Sequence, residues 1–100
     1  SSGLTRSTWS RRVLWTQNER SSVAKIYAID GDGARRAVIK LAGARRVNLQ
    51  DIASGPDHTL WVGDIGDDRA ERSRIRLFRI REPRRLSDRS VDPTRYRLRY

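Results

Sequence analysis

The chain has 100 residues, a hydrophobic share of 36% and a formal net charge of +10, which is one small domain with less apolar material than the roughly 45–50% of ordinary globular chains. It has no Cys and no Met, so disulfides, thiolate metal sites and cysteine nucleophiles are excluded. The charge suggests an anionic partner such as nucleic acid, although 20 of the 22 basic residues are Arg, a bias that nucleotide composition alone can generate. No run approaches the roughly 18 consecutive apolar residues of a membrane span, and residues 1–7 contain no apolar signal core. The missing initiator Met points to a fragment or a processed chain.

In chain order, short runs rich in Val, Ile, Leu, Trp and Tyr alternate with turn signals, and no window keeps helical spacing. The first expected strand is Val13-Leu14-Trp15-Thr16, and the second is Lys25-Ile26-Tyr27-Ala28-Ile29. Asp30-Gly31-Asp32-Gly33 is a hairpin signal, pairing glycines that tolerate positive φ with aspartates that cap their own turns. Ala37 to Leu41 returns as a third strand, and Gly43 is expected to close the unit. A second unit starts at Asn48 to Ala53, crosses a Gly55-Pro56-Asp57 turn into Leu60-Trp61-Val62, and enters an acidic loop from Gly63 to Asp68. It resumes at Arg74 to Ile80, where Ile75 and Leu77 share one face and Phe78 and Ile80 the other, so a strand covered on both sides or a bulge is expected. Pro83 stops that strand. A polar stretch from Arg84 to Thr94 leads to a last strand, Arg95 to Tyr100.

The expected fold class is therefore all-β, with antiparallel sheets in two units of about 1–47 and 48–100. Leu14-Trp15 matches Leu60-Trp61 at an offset of 46, Ile26-Tyr27-Ala28-Ile29 matches Leu77-Phe78-Arg79-Ile80 at 51, and Ser2-Gly3-Leu4 matches Asp51-Ile52-Ala53 at 49. A period near 40–50 residues with three or four short strands per unit is the pattern of β-propeller blades. A ring takes about 4–8 blades, so two units predict an incomplete ring whose remaining blades lie elsewhere in a longer parent chain.

Ser2-Gly3-Leu4, Leu14-Trp15-Thr16 with Asn18, Asp51-Ile52-Ala53-Ser54-Gly55-Pro56, Val62-Gly63-Asp64-Ile65-Gly66-Asp67 and Arg81-Glu82-Pro83 together resemble bacterial propeller proteins related loosely to phytase-like and WD-repeat propellers. The resemblance spans most of the chain. It implies a polar channel at the strand ends with Asn18, Glu19, Gln50, Asp51, Asp64 and Asp67 as ligand candidates, and an exported protein. The chain departs from the family pattern at Glu19-Arg20-Ser21, Asn48-Leu49-Gln50 and Asp68, where two carboxylates have become amides, so weaker ligation or none is implied.

Asp51, Asp64, Asp67 and Asp68 could offer hard oxygen ligands to calcium from a glycine-containing loop. The competing reading is that they cap turns. No EF-hand is present, because the twelfth position from Asp30 or Asp64 is Leu41 or Ile75 rather than Glu. His58 and Ser54 sit near Asp57, but no nucleophile elbow surrounds Ser54, which argues against a Ser-His-Asp triad. Trp15 and Trp61 read as packing residues, with Trp9 less firmly placed. Arg74, Arg76, Arg79, Arg81, Arg84 and Arg85 are the expected basic face, able to bind phosphate backbone without sequence preference. These features favour a scaffold binding a small molecule or protein. The alternatives are a metal-dependent, phytase-like or esterase-like hydrolase and a non-specific nucleic-acid binder.

Overall fold

In Val13–Gln17 every second side chain is buried, the period-two signature of a strand with one face on a core. Strands of this kind make up the molecule. The computed structural model describes residues 3–18, 20–64 and 74–99. It contains β1 (Leu4–Arg6), β2 (Val13–Gln17), β3 (Arg20–Asp30), β4 (Arg35–Gly55), β5 (Thr59–Asp64), β6 (Arg74–Arg81), β7 (Arg89–Val91) and β8 (Thr94–Arg99). The fold is all-β, and no helix among the described residues is long and apolar enough to cross a membrane. Strand order is β1-β2-β3-β4-β5-β6-β8, with β7 beside β4. Every pairing is antiparallel except the short parallel contact of β7 with β4.

The Asp30 hairpin forms as its residues dictate. Asp30 Oδ1 accepts the amides of Asp32 and Ala34, both at 3.0 Å, and Gly33 takes a φ of 84°, so one carboxylate closes the turn that Gly33 permits. The next strand does not stop at Gly43. β4 runs for 21 residues, and straight it would span about 70 Å, nearly twice the 39 Å longest extent of the molecule. It bends where β3 skips register between Val23 and Lys25 and where Gly43 has a φ of 76°. Gly43 thus sits in a bulge within β4, and the strand passes from one sheet to the other further on, where Asn48 pairs with β3 and Leu49 with β5. The boundary expected between residues 47 and 48 falls within β4, one residue before its pairing changes from β3 to β5.

The first half of β4 completes a meander with β1, β2 and β3, and its second half begins another with β5, β6 and β8. The two central ladders correspond residue for residue. Val13↔Asp30, Leu14↔Ile29, Trp15↔Ala28, Thr16↔Tyr27 and Gln17↔Ile26 pair in the first. Thr59↔Arg81, Leu60↔Ile80, Trp61↔Arg79, Val62↔Phe78 and Gly63↔Leu77 pair in the second. Shifting β2 by 46 and β3 by 51 converts one set into the other, the same offsets that the sequence matches display. The β1–β2 ladder does not transfer as well: Leu4↔Thr16 becomes Ile52↔Val62 instead of Ala53↔Val62, a slip of one residue.

Equivalent residues have opposite exposure. Trp15, Ile26 and Ala28 are buried, whereas Trp61, Leu77 and Arg79 are half-buried; Leu14, Tyr27 and Ile29 are half-buried, whereas Leu60, Phe78 and Ile80 are buried. The two sheets therefore share one core through opposite faces, comprising Trp15, Ile26, Ile39 and Leu41 from the first and Leu60, Val62, Phe78 and Ile80 from the second. The β6 ladders show no bulge, so its mixed pattern reflects one buried face and one half-covered face. The 84–94 stretch, read from sequence as polar, contributes β7 and packs Leu86 and Val91 against the core.

Candidate functional site

The expected acidic site is divided by strand alternation. Asp51 pairs with Gly63 and Asp64 with Leu49, so neighbouring positions on β5 send the two carboxylates to opposite faces. Asp64 is buried, accepts the Asn48 amide at 2.6 Å and forms an ion pair with Arg76 Nη2. That is the chemistry of a paired interior charge. Asp51 is exposed and caps the amide of Ile52 at 2.8 Å. Asp67, Asp68 and Glu19 lie outside the described residues, as does the side chain of Gln50. Among the described residues no three acidic or His side chains gather as a metal site. Asn18 holds the backbone together: its side chain accepts the Lys25 amide at 2.9 Å and donates to Val23 O at 3.1 Å, bridging the start of the β2–β3 hairpin.

The arginines of β6 are divided between its two faces. Arg76 points inward to Asp64, while Arg79 lies on the outer face over the rings of Trp61 and Tyr96, at 5.7 and 5.9 Å. Arg81 and Arg85 are exposed, and Arg84 stacks on Trp9 beyond the strand end. Alternation through β6 separates what the linear sequence groups together. The side chain of Arg74 lies outside the described residues. Ser54 Oγ donates to Arg6 O at 2.8 Å, and His58 Nδ1 lies 2.7 Å from Thr8 Oγ1, so these two residues serve different loops and form no catalytic pair.

A different residue organises the end of the molecule: Glu82, read from sequence only as the partner of a strand-stopping proline. The residue is 2% exposed. Oε1 accepts the Thr8 amide at 2.9 Å and the Thr8 hydroxyl at 2.6 Å, and Oε2 accepts Trp15 Nε1 at 2.8 Å and the Ser7 hydroxyl. Burial opposes its ionisation, but the donors from Ser7, Thr8 and Trp15 outweigh that penalty and hold its pKa below the ordinary value. Backbone bonds extend the clasp, with Trp9 Nε1 donating to Glu82 O at 3.1 Å and Glu82 N to His58 O at 2.7 Å. Residues 7–15 and His58, distant in sequence, thus meet at this one residue, the first through its side chain and carbonyl and the second through its amide.

An exposed stack stands on the clasp. Trp9 and His58 rings lie parallel, 3.5 Å between centroids and 6° apart, and the Arg84 guanidinium sits 4.1 Å over the other face of Trp9. Asp57 and His58 reach this position with φ values of 59° and 56°, a left-handed conformation uncommon outside glycine. The only sequence signal for this region was the turn chemistry of Pro56-Asp57 and the unassigned Trp9. Contacts more than 70 residues apart carry no local pattern. No protein-family model, curated protein or solved structure matches the chain.

Proposed function

We propose that the chain is two successive blades of a β-propeller whose parent acts as a binding scaffold, with its polar groups gathered where the first strands of the units meet. The observation that carries this reading is the residue-for-residue correspondence of the β2–β3 and β5–β6 ladders. Paired residue numbers sum to 43 throughout the first ladder and to 140 throughout the second, and the difference of 97 is the sum of the two sequence offsets, 46 and 51.

The inverted burial supports the same reading. Sheets related by a two-fold axis bury the same face of each, whereas units stacked in a row bury the front of one against the back of the next. Here equivalent residues are buried in one unit and half-exposed in the other, as expected for stacked units. β1 and the second half of β4, the first strand of each meander, lie together, joined by Thr5 Oγ1 to Ser54 Oγ at 3.0 Å and to Ser54 N at 3.1 Å. In a propeller, strands at this position surround the central channel, where a small molecule or protein loop would be received.

The outer faces, with Leu14, Tyr27 and Ile29 on one side and Trp61, Leu77 and Tyr96 on the other, would then be covered by neighbouring blades. A tandem fusion of two copies supplies four units, the lower limit of about four for a ring. It is expected to melt higher and more cooperatively than a single copy, because each added interface stabilises its neighbours. Identical melting of the single and fused chains would overturn the reading.

A further inference from the structure

We propose that the hollow bounded by residues 7–13, the β3–β4 turn and the Pro83–Leu86 segment binds a small dianion through its arginines. The hollow measures about 780 Å³, within the range of roughly 300–1,000 Å³ for small-molecule sites. Arg11, Arg12, Arg36 and Arg84 line it against only Asp30 and Asp32, leaving a local surplus of two positive charges. Asp30, whose Oδ1 accepts two backbone amides, pairs through Oδ2 with Arg36 at 3.8 Å, so the surplus rests on the other arginines. Among the described residues, Arg11, Arg12 and Arg84 join no ion pair.

One of these arginines is pre-positioned. The Arg84 guanidinium is held over the Trp9 ring, a cation–π contact that uses none of its N–H donors and leaves them for an oxyanion, in the fork geometry that suits carboxylate and phosphate alike. Trp9 is in turn fixed by His58 and by the Glu82 carbonyl, while the buried Glu82 carboxylate grips Ser7 and Thr8. The stack therefore stands ordered before any ligand arrives, which reduces the entropy lost on binding. Val13, Pro83 and Leu86 supply an apolar wall, suited to the carbon body of an organic dianion. The site is separate from the junction of β1 with β4 and does not depend on the propeller reading.

The proposal is tested by titrating the whole chain at low salt with succinate, inorganic phosphate and AMP, using glycerol as an uncharged control and calorimetry and tryptophan fluorescence as readouts. Saturable binding of at least one dianion is expected, with the fluorescence change abolished in Trp9→Phe. Arg84→Gln and Arg11→Gln should each weaken it roughly three- to fivefold. Arg97→Gln, at an exposed position on β8, should leave it unchanged, and circular dichroism checks that each variant is folded. Succinate binding alone would identify a carboxylate ligand, and phosphate or AMP binding alone a phosphate ligand. Absence of saturable binding by all three, or equal weakening by Arg97→Gln, would overturn the proposal, the latter by assigning the effect to the general charge of the chain.

Discussion

The two meanders share a ladder and differ in which side of it faces inward. Trp15 is fully buried and donates to Glu82, whereas its counterpart Trp61 lies half-buried on an outer face beneath Arg79 and beside Tyr96. Alternation specifies that a strand has two chemically distinct faces. Which face becomes interior is decided by the neighbour it meets, so identical local sequence can have unequal energetic weight.

The largest expected effect tests that inequality directly. Trp15→Ala removes a fully buried ring and one donor to Glu82, and should destabilise the chain by about 3–5 kcal/mol. Trp61→Ala should cost only about 1 kcal/mol, because its ring is partly solvated already. Chemical denaturation of both variants measures the ratio. Equal losses would mean that the outer face of the second sheet is covered in solution, which would sharpen the comparison towards stacked units.

Next in size is the clasp that ties the first unit to the second. Glu82→Ala leaves Trp15 Nε1 buried without its acceptor and frees Ser7 and Thr8, an expected loss of about 2–3 kcal/mol. Its pH dependence has a definite sign. The folded-state pKa of Glu82 lies below the ordinary 4.5, so its contribution is fully present above about pH 4.5 and is lost as pH falls through the lowered value. Glu82→Gln should therefore lose stability at neutral pH and show a shallower acid limb in a pH series of melting curves. An acid limb unchanged by the substitution would remove Glu82 from the account.

These expectations mark where sequence is informative and where it stops. The strands at Val13, Lys25, Leu60 and Arg74 were legible because apolar residues alternate between turn residues, and the Asp30 turn was legible because Asp and Gly sit in adjacent positions with complementary roles. The long path of β4 was not, since Gly43 signals a break equally well whether the chain stops or bends. Asp51 and Asp64 looked like partners because they are close in number, yet bulge and pleat point them apart. Glu82 was missed because its donors Ser7, Thr8 and Trp15 come from the far end of the chain.

A smaller effect concerns the turn that supports the stack. Asp57 and His58 both adopt positive φ, a conformation that costs an L-residue energy and glycine little. Asp57→Gly relieves one strained position but gives the unfolded chain more freedom, so a net gain of at most about 1 kcal/mol is expected. His58→Gly relieves the same strain while deleting the ring that supports Trp9 and bonds Thr8. It should therefore be the less stable of the two, and thermal melting of the pair measures how much the stack contributes.

The smallest expected effect is that of calcium on melting. Asp64 already has a full positive partner in Arg76, and Asp51 faces the other side of the sheet, so these two carboxylates do not converge as a hard cation requires. A cation drawing Asp64 away would leave Arg76 without its partner, which opposes binding. Millimolar calcium is therefore expected to leave the melting temperature of the chain unchanged. A rise that grows with calcium concentration, as binding to the folded state demands, would instead assign the ligands to Asp67 and Asp68 with Asp51. An Asp64→Asn variant that retained the rise would show that the buried pair takes no part in it.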